Sequence, residues 1–191
     1  KENFFAEFYS HPIWCLNSIF SSIDSASRQN RKALIQAISS LQVETVVDMG
    51  GGYGVFLEML KKECSKLKLI LCEPHLAKQI ESELSKKKIF SSREIPLSAD
   101  VYVFIDVLEH IVEPLSYLQR VIKSAKINSY FIFGNCFYPC IKCHLPSTFY
   151  LRHTFQLAAL LMGLRYVDKV KDAPYMKIYQ LTSRSSINTN N

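Results

Sequence analysis

A carboxylate followed by closely spaced glycines is the segment of this chain best suited to bind a ligand. Residues 45–57 read TVVDMGGGYGVFL, an apolar run that leads through Asp48 into glycines at positions 50, 51, 52 and 54. β-Branched residues favour a strand covered on both faces, and glycines let the chain turn with no Cβ between the backbone and a ligand. We predict a strand at 45–49, a ligand-binding turn, and a helix from Val55 to Glu63.

The spacing of these glycines distinguishes between cofactors. A dinucleotide-binding turn needs Gly-x-Gly-x-x-Gly, but counted from Gly50 the last position is Val55, and from Gly52 it is Leu57. A phosphate-binding P-loop needs Gly-Lys-Ser/Thr, which does not follow. The acid at Asp48 repels a pyrophosphate, whereas it favours a ligand that carries ammonium and sulfonium charges.

Two further acids lie at the ends of predicted strands. Residues 68–73 read KLILCE and predict a second strand that ends in Glu73. A carboxylate at this position can accept hydrogen bonds from both hydroxyls of a ribose. Residues 100–106 form another apolar run, which ends in Asp106. Because ligands bind beyond the carboxyl ends of the strands in open α/β sheets, we expect these acids and Asp48 to share one cleft.

These segments, together with ADVYVFIDVLEHIVEP at 99–114, resemble the class I S-adenosylmethionine-dependent methyltransferases of the methyltransferase 11/23 type. The resemblance implies an α/β fold, Rossmann-like and doubly wound, with a mostly parallel seven-stranded sheet and an antiparallel C-terminal hairpin. It implies S-adenosylmethionine (SAM) as cofactor and S-adenosylhomocysteine (SAH) as product. The implied cofactor-binding residues are Asp48, Met49, Gly50, Gly51, Gly52, Tyr53, Gly54, Glu73, Pro74, Asp106, Val107 and Leu108.

The chain departs from this family after the third strand. Related enzymes often place there an acid that hydrogen-bonds the adenine amine, but residues 90–94 read FSSRE. We expect Ser91 or Ser92 to take that role, and Ser92 is the candidate that we carry forward. For Asp106 the alternative to ligand contact is capping of a helix, and the two can coexist.

The candidate general bases are His110, Glu109 and His153, with His144 as a further histidine. An alcohol or phenol acceptor must lose a proton, and a positioned base contributes roughly 10²–10⁴-fold. His110 is the favoured base, because it follows the fourth strand on the turn that the resemblance places nearest the methyl group; a supporting or capping role is the alternative. His153 opens the helix before the terminal hairpin, where we favour packing over catalysis.

Strands and helices alternate along the chain, which predicts parallel pairing with helices on both faces. Only a short segment that contains residues 172–174 separates the last two strands, so these must form a hairpin. A helix is predicted from Arg31 to Leu41. The predicted strands are 45–49, 68–73, 88–91, 100–106, 127–134, 164–170 and 175–182.

The predicted organisation is a single domain. Residues 1–42 are expected to form a helical lid, with aromatic-rich helices at 3–20 broken near Pro12; residues 43–183 form the SAM-binding core and 184–191 a disordered tail. The sequence contains no run of eighteen apolar residues, so we predict no membrane-spanning helix. Six cysteines without small-scaffold spacing favour a reducing cytoplasm over a disulfide framework.

A cluster of thiols lies after the fifth predicted strand, with the pattern Cys-x₃-Cys-x₂-Cys-His. Radical SAM enzymes use this cysteine spacing to hold an iron–sulfur cluster, but on a different barrel fold. Zinc is chemically possible, although paired Cys-x₂-Cys spacing is absent. We favour a substrate-side loop with small buried thiols, and we predict no metal. The cluster consists of Cys136, Cys140, Cys143 and His144.

The leading functional prediction is methyl transfer to the oxygen or nitrogen of a small molecule, such as a sugar, a quinone-like ring or a natural-product intermediate. One alternative is an RNA or DNA methyltransferase, since the net charge is +6. However, the basic residues are dispersed, and strand four ends in IDVL and not in the Asn/Asp-Pro-Pro-aromatic tetrad of adenine methylation. Another alternative is a non-catalytic SAM-binding scaffold. The acceptor and the oligomeric state stay open.

Overall fold

The computed structural model describes residues 25–74, 78–137 and 145–184. Most of the predicted lid and nearly all of the predicted tail lie outside these ranges. Three members of the thiol cluster, Cys140, Cys143 and His144, lie outside them as well.

Helices flank the sheet along the described chain. The helix before the first strand begins at Ser25, six residues earlier than predicted, because its first turns are polar and exposed and give no apolar pattern. The helix after the glycine turn has the predicted bounds. The α-helices are α1 (Ser25–Ser39), α2 (Val55–Glu63), α3 (Lys78–Lys86), α4 (Pro114–Ser124) and α5 (Leu151–Leu161), with 3₁₀ turns at Leu108–His110 and Pro146–Thr148.

The described strands form a sheet in the order β3-β2-β1-β4-β5-β7-β6. Strands β1 to β5 pair in parallel, whereas β7 runs antiparallel to both β5 and β6. The predicted α/β fold with an antiparallel C-terminal hairpin is therefore confirmed. The strands are β1 (Thr45–Met49), β2 (Lys68–Cys72), β3 (Ile89–Ser92), β4 (Val101–Ile105), β5 (Tyr130–Gly134), β6 (Leu164–Val170) and β7 (Ala173–Leu181).

The parallel strands are buried on both faces, as their β-branched and aromatic residues require. Val46 and Val47 of β1 point to opposite faces, and both are fully buried. On one face, Val46 joins a cluster with residues of α1 and α2; on the other, Val47 joins a cluster with residues of α4 and α5. This packing fixes the carboxyl ends of β1, β2 and β4 side by side.

A polar contact joins the chain at the amino ends of β1 and β4. Asp100, just before β4, accepts hydrogen bonds at Oδ2 from the amides of Glu44 and Thr45, at 2.9 and 2.8 Å, and pairs with Lys126 through Oδ1. Burial raises the pKa of this carboxyl, but the bonds from Lys126, Glu44 and Thr45 outweigh that effect and hold the pKa below its ordinary value.

In the described ranges, no helix has both the length and the apolar character needed to cross a bilayer.

Candidate active site

The glycine turn connects the end of β1 to the start of α2. Gly50, Gly52 and Gly54 all have left-handed backbones, with φ of 67°, 55° and 73°. The amide of Gly50 donates to the carbonyl of Cys72 at 2.8 Å, which ties the turn to the end of β2. The turn therefore lies at the carboxyl edge, between β1 and β2, as predicted.

Two neighbouring glycines of this turn face different surroundings. A Cβ on Gly51 would lie 2.0 Å from Oδ2 of Asp48 and 2.8 Å from a methyl group of Leu71, so the Asp48 carboxylate packs directly against the turn. A Cβ on Gly52 would meet no heavy atom of the described residues within 4 Å. The side chain that Gly52 lacks would point into open space at the strand ends, which is where a cofactor of an open α/β sheet binds.

Asp48 is the buried acid of the site, with 4% of its surface exposed. Burial, and after it the negative charge of Glu73, raises the pKa of its carboxyl to about 7, although the positive charge of Arg31 on α1 acts in the opposite direction. The carboxylate therefore ionises near neutral pH, and a cationic ligand beside it would favour the charged form.

Asp48→Asn is expected to stabilise the ligand-free protein above pH 7. The folded carboxyl has a pKa of about 7 against 3.8 unfolded, so the folded state binds more protons between these values, and the free energy of unfolding falls as pH rises through them. Each unit of pKa difference corresponds to about 1.4 kcal/mol. Thermal unfolding at pH 5 and pH 8 tests this. Between these pH values, the free energy of unfolding should fall less in the variant than in the wild type.

The matched control for this prediction is Asp172→Asn, an exposed acid in the hairpin between β6 and β7. That variant should keep the wild-type dependence of unfolding on pH. If Asp48→Asn also keeps it, Asp48 is not a proton-binding group of the folded state.

Glu73 follows β2 and lies half-buried beside the turn. Its amide donates to the carbonyl of Ser92 at 3.0 Å. Burial, together with the smaller effects of the Glu73 and Asp48 charges, raises the pKa of the neighbouring Cys72 thiol to about 12. Cys72 therefore stays protonated, and the negative charge at this edge is carried by the two carboxylates.

The predicted adenine contact, Ser92, uses its hydroxyl within its own loop. The Oγ atom donates to the carbonyl of Glu94 at 2.6 Å and accepts from the Glu94 amide at 3.2 Å. Pro74 is exposed, and its carbonyl accepts from Arg93 at 3.3 Å. These contacts hold the chain after β2 against the chain after β3, so a role for Ser92 toward adenine stays a prediction.

The segment after β4 is held by a residue that the sequence analysis missed. Oδ1 of Asn135 accepts hydrogen bonds from the amides of Val107 and Leu108, at 3.1 and 2.9 Å. Asn135 directly follows β5, and its place as a polar residue after a strand was the signal available in the sequence. Asp106 is exposed, with a left-handed φ of 52°. It does not cap the 3₁₀ turn, where Val107 holds the N-cap position and no side-chain cap bond forms.

The three candidate bases have different environments. Glu109 is fully buried, and its Oε1 accepts from the amide of Cys136 at 2.6 Å, a position that favours a role in joining two loops over a role as base. His110 is partly buried in the 3₁₀ turn after β4. His153 is exposed at the start of α5 and lines a cavity of about 310 Å³ with Asn135, Phe137 and Arg152.

A family model for a methyltransferase domain matches residues 24–185. This chain belongs to the methyltransferase domain family. The match covers every described strand and all of α1 to α5. A sequence search of curated proteins gave no significant match.

Solved structures resemble this methyltransferase domain in fold. The mitomycin 7-O-methyltransferase MmcR has a TM-score of 0.55 and 19% identity, over 82% of this chain and 53% of its own. An O-methyltransferase family 2 protein from Planctomyces limnophilus, solved with apigenin, has a TM-score of 0.55 and 11% identity; the match covers 83% of this chain and 62% of its own. The plantazolicin methyltransferase BpumL, solved with a desmethylPZN analog and SAH, has a TM-score of 0.50 and 13% identity; the match covers 67% of this chain and 55% of its own. The methyltransferase domain thus spans between about half and three fifths of each.

Cys136 is the one member of the thiol cluster that lies within the described residues, and it is partly buried after β5. Within the ranges that the structure describes, no three His, Cys, Asp or Glu side chains come together as metal ligands.

Proposed function

We propose that this methyltransferase domain binds SAM at the carboxyl edge of β1, β2 and β4 and transfers its methyl group to a small molecule. The observation that carries the proposal is the open space above Gly52, with the buried Asp48 beneath the turn and Glu73 beside it. The two carboxylates suit a ligand with cationic groups and ribose hydroxyls, and they are unsuited to a pyrophosphate.

The proposed roles follow from these positions. The glycine turn supplies a surface without side chains, and Glu73 accepts hydrogen bonds from the ribose. Asp48 supplies negative charge beneath the turn, while Asp106, Val107 and Leu108 form the wall of the cleft that leads toward the acceptor. When bound, SAM supplies an electrophilic methyl group on a sulfonium, so the main task of the protein is to bring acceptor and methyl carbon into line.

Oxygen of a small molecule is the acceptor that we propose. Two of the similar structures support it, since one is named as a 7-O-methyltransferase and another was solved with apigenin. A hydroxyl acceptor requires a base, and we propose His153, because it is exposed and lines a cavity together with Asn135. Glu109 lacks such access because it is buried against the amide of Cys136.

Calorimetric titration with SAH tests the cofactor assignment, with NADH as control. We expect saturable 1:1 binding of SAH and none of NADH. At a free SAH concentration about 100 times its Kd, the free energy of unfolding should rise by about 2.7 kcal/mol. Absence of SAH binding to a protein that unfolds cooperatively would contradict the proposal. Binding of SAH and NADH with equal affinity would contradict the cofactor assignment.

A further inference from the structure

A small pocket opens between the ends of β5 and β7 and the start of α5. Its volume is about 120 Å³, close to the roughly 150 Å³ of an engineered cavity that holds one benzene ring. Ring centroids of Phe133 and Phe155 lie 4.9 Å apart, and those of Phe133 and Tyr179 lie 5.6 Å apart, in edge-to-face contacts that fix the wall. The aromatic lining residues are Phe133, Phe137, Phe155, Tyr175 and Tyr179.

Two polar atoms in this aromatic lining lack hydrogen-bond partners among the described residues. They are the hydroxyl of Tyr179, a residue with 1% of its surface exposed, and Nδ2 of Asn135. A buried donor without a partner destabilises the folded state. Burial, with a smaller electrostatic contribution from Tyr166, raises the pKa of Tyr179 to about 12, so its hydroxyl stays a donor at neutral pH. Both atoms are buried, so an occupant satisfies them only if it enters the pocket deeply enough for its acceptor oxygens to contact them.

Positive charge surrounds the mouth of the pocket. Arg152 and Lys177 line it, and both are exposed at the surface. An aromatic slot with cations at its rim suits a ligand whose ring enters the slot and whose anionic group stays at the rim.

The pocket adjoins the proposed cofactor cleft. Asn135 lines the pocket, and its Oδ1 accepts from the amides of Val107 and Leu108, which form the cleft wall. Burial, and after it the negative charge of Asp106, raises the pKa of Tyr175 to about 12, which places Tyr175 near Asp106. A ring in the pocket would therefore lie beside the segment that follows β4.

We infer that this pocket is the acceptor site and that it selects a single-ring aromatic compound carrying a carboxylate or a similar anionic group. The inference rests on the proposed function, because it takes the adjoining cleft as the SAM site. Arg152 would bind the anionic group, and the hydroxyl of Tyr179 and Nδ2 of Asn135 would donate to acceptor atoms of the occupant.

The test is an NMR titration of the SAH-saturated protein with benzoate and with its neutral analogue, benzamide. We expect benzoate to bind about two- to fivefold more tightly, as an exposed charge pair allows. Arg152→Gln should remove that preference without changing benzamide binding. The matched control, Arg165→Gln, changes an exposed arginine on β6 outside the lining and should leave the preference intact.

A second variant, Tyr179→Phe, keeps the ring and removes the unsatisfied hydroxyl. We expect it to unfold at an equal or higher temperature than the wild type and to bind benzoate at least twofold more weakly. If SAH binds but neither probe does, or if benzamide binds as tightly as benzoate, the inference is overturned while the proposed function stands. Failure of SAH to bind would overturn the proposed function and this inference with it.

Discussion

Gly52→Ala is expected to weaken SAH binding at least tenfold while the protein stays folded. The added Cβ would enter the open space above the turn, where no described atom lies within 4 Å and where we place the cofactor. Overpacking of a fitted contact costs typically about 1–3 kcal/mol, and 1.4 kcal/mol is tenfold in affinity. Because φ is 55°, the alanine also strains the backbone by about 1–2 kcal/mol. Calorimetric titration and thermal unfolding measure the two effects separately.

The control for backbone strain is Asn128→Ala. Asn128 has a φ of 72°, is exposed, and lies at the amino edge of the sheet before β5. It should lose a comparable amount of stability and keep wild-type affinity for SAH. Wild-type affinity in Gly52→Ala would show that the cofactor does not approach this turn. Gly52→Val, with a larger side chain, should abolish measurable binding.

Glu73→Gln is expected to weaken SAH binding about 10- to 100-fold. A hydrogen bond to a charged group contributes about 1.5–3 kcal/mol, and glutamine keeps the size of the side chain while removing its charge. The same change should lower the pKa of Asp48, because the charge of Glu73 is one of the causes that raise it. Titration calorimetry gives the affinity, and the dependence of unfolding on pH reports the change at Asp48.

The matched control is Glu83→Gln, which removes an exposed charge from α3. This variant should bind SAH with wild-type affinity and keep the wild-type pH dependence. If Glu73→Gln and Glu83→Gln weaken SAH binding equally, the effect is one of net charge and Glu73 has no contact with the ribose.

The sequence predicted those features that local patterns determine. The apolar run that leads into glycines fixed the bounds of β1 and α2, and the short connection before β7 required a hairpin. β5 begins at Tyr130 and not at 127, because residues 127–128 form a turn in which Asn128 adopts a positive φ. Apolar composition alone does not reveal such a turn.

Features that depend on distant contacts were not predictable in the same way. Asn135 binds the amides after β4, and Glu109 accepts a hydrogen bond from the amide of Cys136, only because β4 and β5 lie side by side. Neither contact leaves a spacing pattern in the sequence. The aromatic pocket likewise combines β5, α5 and β7, which are separate in the chain and which the fold brings together.

A crystal structure of the protein with SAH is the most direct test of the central claim, that the cofactor occupies the cleft above Gly52. We expect the ribose hydroxyls within hydrogen-bond distance of the Glu73 carboxylate, and the homocysteine portion between the glycine turn and the segment 106–108. The sulfur should face the pocket that contains Asn135. SAH bound elsewhere, or bound in this cleft without contact to Glu73 and the glycine turn, would contradict the account.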